Sequence, residues 1–156
     1  MKKIYKTKSN DGFTIVEILV LLLIIGILST ILVLTYSGVQ IRQRNNTRIS
    51  DVKLIQANLE TYYAQTGFYP TLTNMNSVTW TEKNLKALNS SALSDPSLKV
   101  GVLRFNSIPV AYQFSYQPTS SNGTSACDNK TVACGKYTIT ATLEGNSGTF
   151  SEKSLN

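Results

Sequence analysis

The chain has 156 residues, 42% of them hydrophobic, and carries 15 Lys and Arg against 9 Asp and Glu, a formal net charge of +6. That length allows one domain plus an appendage, not two full cores. With no histidine anywhere, a Ser-His-Asp triad, a His-Glu-x-x-His zinc site and any histidine general base are excluded.

Lys2, Lys3, Lys6 and Lys8 crowd a short leader that ends at Gly12, offset only by Asp11. The leader takes four of the basic residues and one of the acids, leaving eleven and eight, a net of +3. So small an excess, spread along the chain, does not argue for specific nucleic-acid binding.

From Phe13 to Tyr36 run 24 residues in which Glu17 is the only charged one. As a helix they would span about 36 Å, enough to cross a hydrocarbon core of about 30 Å with some tilt. The run is too long for an ordinary secretory core, and no Ala-x-Ala-type site follows it. The leader lysines favour a cytoplasmic N-terminus, but Arg42, Arg44 and Arg48 lie close beyond the far end and weaken that bias.

An acid at membrane depth costs roughly 2.5–3.5 kcal/mol on insertion scales and usually marks function. Three readings compete for Glu17. It can close a capping box, reaching back to the Thr14 amide while Thr14 caps the helix. It can be a chance acid of a signal anchor, near the interface where the cost is lower. Or it can await a cation, such as the α-amino group of Phe13 that cleavage after Gly12 would release. Gly12 offers a peptidase an uncluttered backbone.

Helical periodicity continues past the apolar run. Val52, Ile55, Leu59 and Tyr62 recur at spacings of three and four, flanked by Ile49 and Tyr63. Arg48 and Asp51 are spaced to pair one turn apart. Gly67 is placed to cap the helix and Pro70 prevents its resumption. One helix from about Phe13 to Gln65 is therefore predicted, apolar all round and then amphipathic.

Between Pro70 and Lys99 the sequence is rich in Thr, Asn and Ser, with one short helix predicted near Glu82–Leu88. Val110–Gln117 alternates strictly, placing Val110, Tyr112, Phe114 and Tyr116 on one face. Lys136–Leu143 does the same with Tyr137, Ile139, Ala141 and Leu143. A turn at Glu144–Gly148 returns Thr149–Leu155 as a third strand. An antiparallel sheet with one apolar face results, and the helix stripe is its natural cover.

Pro118–Asn129 is a polar loop closed off by Cys127 and Cys134, the only cysteines. Two cysteines without histidine make half a tetrahedral zinc site, so a disulfide in an oxidising, extracytoplasmic compartment is the expectation. The loop is read as a solvated connection pinned by that bridge. Asp128 alone is no calcium site. The Asn-x-Thr matches at Asn122 and Asn129 carry no weight in so polar a segment.

The Lys-rich leader, Gly12, Phe13-Thr-Ile-Val-Glu17 and the apolar helix resemble the type III signal of type IV pilins and pseudopilins. The block Ile49–Tyr63, followed by Gly67-Phe-Tyr-Pro70, is similar to the pilin helix and its exit. The resemblance covers roughly residues 1 to 70; beyond, it rests on architecture alone. It implies an α+β fold with leader 1–12 removed, a transmembrane or filament-core half 13–36, an amphipathic half 37–66 and a head 67–156.

It also implies that a prepilin peptidase cuts between Gly12 and Phe13, that the Phe13 amine is methylated, and that Glu17 engages a Phe13 amine as subunits join. The implied partners are the membrane, further copies and other pilins, the peptidase, and an assembly ATPase with its platform. No cofactor, no metal and no enzymatic activity are implied. The precursor would sit in the inner membrane with its head outside, and the filament at the cell surface.

Two positions bear on the match. Where the family often carries a helix proline this chain has Leu34, and the helix-weakening glycine is present as Gly26, which could equally serve close packing with Ser29 and Thr30. The calcium-ligand cluster of the major type II secretion pseudopilins is not recognisable, which tilts the reading toward a pilus subunit. The alternative within the filament class is a pseudopilin of a type II secretion or DNA-uptake machine; a monomeric anchored receptor using the Pro118–Cys134 loop is the rival class, and an anchored enzyme the third.

Overall fold

The computed structural model describes residues 12–97 and 104–156. The leader through Asp11 lies outside them, as do Lys99 and its neighbours. The chain divides into two units, Met1–Val39 and Gln40–Asn156. Helix α1, Ile15–Thr66, contributes to both.

In the first unit α1 begins where Thr14 caps it. Every side chain from Ile15 to Ile31 is exposed, with Ile15 82% and Leu23 63% accessible, so no described residue buries this apolar surface. The hydroxyls of Ser29 and Thr30, exposed like their neighbours, donate back to the helix's own backbone. Ser29 Oγ donates to the Ile25 carbonyl at 2.7 Å and Thr30 Oγ1 to that of Ile27 at 2.7 Å. Such back-bonding satisfies hydroxyl donors without recourse to solvent. A β-carbon at Gly26 would meet nothing within 4 Å, so no packing among the described residues requires this glycine. The helix continues through Leu34.

In the second unit the predicted stripe is the core face. Val52, Ile55 and Leu59 are fully buried and Tyr62 nearly so. Gly67 ends the helix at φ +79°, its N–H donating to the Tyr63 carbonyl at 2.7 Å. This left-handed cap suits glycine. Two short helices follow, α2 (Leu72–Asn76) and α3 (Val78–Asn84), then a 3-10 turn at Ser90–Leu93. The helix expected near Glu82–Leu88 is therefore displaced toward the N-terminus. Thr71 and Ser77 set its position by accepting the Asn74 and Trp80 amides.

The sheet runs β1 (Phe105–Asn106), β2 (Phe114–Thr119), β3 (Lys136–Thr142), β4 (Thr149–Lys153), with neighbours in chain order. It is mixed, not purely antiparallel: β1 pairs parallel to β2, while β2–β3 and β3–β4 are antiparallel. Phe114, Tyr116, Tyr137, Ile139 and Ala141 are buried and join the α1 stripe in one core. The expected strand from Val110 starts only at Phe114, because Tyr112 takes φ +60° and Val110 folds back onto Gln113. Tyr112 is thereby removed from the apolar face and 53% exposed. Leu155 is also outside the last strand, and 77% exposed.

Candidate functional site

The first turn of α1 holds the sequence-derived residues Gly12, Phe13 and Glu17. Glu17 Oε2 accepts from the Thr14 amide at 3.3 Å and from Thr14 Oγ1 at 3.2 Å, while the Glu17 amide donates to Thr14 Oγ1 at 3.2 Å. This is the reciprocal capping box, one of the three readings of Glu17. Phe13 is 80% exposed and a β-carbon at Gly12 would meet nothing within 4 Å, so no described residue covers the Gly12–Phe13 bond. The helix is long and apolar enough to cross a membrane.

Cys127 and Cys134 form a disulfide. The loop it closes is stitched to the exit of α1. Tyr69 N–H donates to the Cys134 carbonyl at 2.7 Å, Asn129 Nδ2 to the Tyr69 carbonyl at 2.7 Å, and the Cys134 amide to Asn129 Oδ1 at 2.7 Å. Asp128 accepts the amides of Lys130, Thr131 and Val132, which hold its carboxyl well below the usual range. Asn122 Oδ1 accepts the Thr124 and Ser125 amides. The acceptors of this loop thus shape its own turns. Among the described residues no three His, Cys, Asp or Glu side chains converge as metal ligands.

Sequence reasoning missed a buried ionic cluster. Arg48, its side chain fully enclosed, donates through Nε and Nη2 to Asp95 at 2.6 and 2.9 Å, and its Nη1 lies 2.7 Å from Glu144. Arg44 makes a second, two-pronged pair with Glu144. Asn45 completes the arrangement, donating to the Glu144 carbonyl and accepting its amide at 2.9 Å. Hydrogen bonds from Arg44, and then Arg48, bring the Glu144 carboxyl down to about 2.

The expected Arg48–Asp51 pair is not formed among the described residues, since the guanidinium turns to Asp95 and Glu144 instead. Asp51 is 9% exposed, and burial with the nearby Asp95 charge pushes its carboxyl up to about 6. One signal could have found Arg48: it continues the buried stripe at the spacing of Val52 and Ile55, where a charge demands partners.

Glu60 was likewise not anticipated. It accepts from the hydroxyls of Tyr69 at 2.8 Å and Tyr137 at 2.9 Å, and from the Leu155 amide and Asn156 Nδ2 at 3.3 Å. Leu155 and Asn156, just beyond β4, are tied to α1 by this carboxylate, and Lys153 by Gln56 Nε2, which donates to its carbonyl at 2.8 Å. No family model, no curated protein and no solved structure matches the chain.

Proposed function

We propose that this protein is the structural subunit of a type IV pilus-like filament. It enters the membrane as a precursor, loses its leader after Gly12 and polymerises through its N-terminal helix. One observation carries the reading: a single acid, Glu17, is the fifth residue after a Gly12–Phe13 bond that no described residue covers, in an otherwise uncharged apolar run. The resemblance of residues 1–70 to pilins supports the same assignment.

The physics of assembly follows. Transfer from bilayer to a helical filament core gains little from the hydrophobic effect, because lipid is as apolar as neighbouring helices. Packing, a specific polar contact and external work must supply the rest. A new Phe13 ammonium meeting a Glu17 carboxylate sets register, because leaving either charge alone in low dielectric costs on the order of several kcal/mol.

N-terminal mass analysis of sheared surface material tests this reading: a mature chain beginning at methylated Phe13 is expected, and full-length chain that never sediments as fibres refutes it. Glu17→Ala should insert in the membrane and be cleaved, yet fail to enter fibres. Normal fibres from that variant would remove the register role.

A second reading is favoured by the capping box itself. Thr14 already engages Glu17 through Oε2; on this reading the chain is a membrane-tethered head in which the acid only starts the helix.

A further inference from the structure

We propose that the loop between β1 and β2 is a membrane-interface foot, seating the head on the lipid headgroup layer beside the point where the chain leaves the bilayer. The inference rests on residues 13–36 being a membrane span and is independent of polymerisation.

The loop presents apolar surface to solvent. Ile108 is 58% and Tyr112 53% exposed, and Pro109 and Ala111 between them are exposed too. The left-handed backbone at Tyr112 and the Val110–Gln113 bridge hold that ring outward, away from the core face its alternation would have given it. A bulky residue with positive φ is uncommon and invites a functional explanation.

The loop's position identifies the partner. Ala111 and Tyr112 wall an open depression of about 540 Å³ together with Ile41, Glu144 and Gly145. Tyr112 is also close enough to Arg44 to interact with it electrostatically. Ile41 is the fifth residue after Tyr36, where the apolar run ends. Five residues reach at most about 18 Å even when fully extended. A headgroup layer several ångströms deep on each side of the hydrocarbon lies within reach of a patch built around Ile41.

The chemistry fits that layer. Tyrosine puts an apolar ring and a hydroxyl at the boundary where aromatic belts form. Ile108 supplies an apolar tip, and the exposed Arg42 a cation for anionic headgroups. The one acid of the depression, Glu144, is already neutralised by Arg44 and Arg48, so it does not repel an anionic surface.

The test uses the full chain, one copy per nanodisc of mixed zwitterionic and anionic lipid. A bimane fluorophore is placed at Ala111→Cys, at Leu22→Cys in the apolar run, or at Ala87→Cys. Ala87 lines a groove with Gln65 and Thr66 at the other end of α1. Lipids quench the label through nitroxides, carried on the acyl chain for position 22 and on the headgroup for positions 111 and 87. Strong quenching at positions 22 and 111 but not 87, lost at 111 alone on adding Ile108→Glu and Tyr112→Glu, is the expected result. Quenching at 22 with position 111 as unaffected as 87 overturns the foot while leaving the membrane span intact. No quenching at 22 overturns the span and the foot with it. Protection of position 111 only when several copies share a disc overturns it in favour of a second copy as the occupant.

Discussion

Replacing Arg48 by alanine isolates the energetic role of the ionic cluster. The guanidinium is fully enclosed, and its main partner Asp95 retains only 1% side-chain exposure. Without Arg48, Asp95 keeps the Ser97 amide at 2.8 Å but has no counter-ion in the cluster. Glu144, 15% exposed, still has Arg44. The loss therefore falls chiefly on Asp95, and stranding one member of a buried pair costs about 3–5 kcal/mol. Against a total stability of about 5–15 kcal/mol, that is a large fraction. Urea unfolding of the full chain in detergent, followed by Trp80 fluorescence, measures it. Adding Asp95→Asn to Arg48→Ala should recover part of the loss, because the stranded charge is then gone. A loss below about 1 kcal/mol for Arg48→Ala, or no recovery in the double variant, would refute the argument that enclosure sets the magnitude.

Two carboxyls pull the pH profile in opposite directions. Asp51, raised to about 6, binds its proton more tightly folded than unfolded, so its contribution is present at acid pH and lost as pH rises from about 4 to 6. Asp51→Asn should flatten that decline and add roughly 1–3 kcal/mol at pH 8; an unchanged decline counts against it. Glu144, lowered to about 2, contributes stability above its unfolded value that disappears as pH falls from about 4.5 to 2. Acid unfolding should accordingly steepen there in wild type and not in Glu144→Gln. Gly135→Ala should destabilise by about 1–3 kcal/mol, since its β-carbon would lie 2.8 Å from the Ser121 backbone; a melting temperature within error of wild type would show that this approach relaxes freely.

What was legible in the sequence shares one property: a local repeat. The α1 stripe, the Gly67 cap and the buried Tyr137–Ile139–Ala141 face each follow from spacings of a few residues. The failures need information from elsewhere. Arg48 finds Asp95 and Glu144 across 47 and 96 positions of chain, and locality pointed to Asp51 instead. β1 has two residues, too few to alternate, so its parallel pairing and the mixed sheet were invisible. Alternation through Tyr112 was genuine, but a single positive φ reversed the chain before the strand began. The helices near residue 80 depend on hydroxyl caps in a Thr- and Ser-rich stretch that by composition reads as loop. At the N-terminus the residues were legible, yet which of three tasks Glu17 performs is a matter of what surrounds the chain.

Both Thr14 donors converge on the same Glu17 oxygen, Oε2. The other, Oε1, has no hydrogen-bond partner among the described residues. Anchoring the coil and greeting a visitor therefore need not be rival duties, since each can use its own oxygen. An amide analogue would part them: Glu17→Gln keeps an acceptor for Thr14 while discarding the negative charge, so whatever it loses was owed to electrostatics and not to the start of the helix.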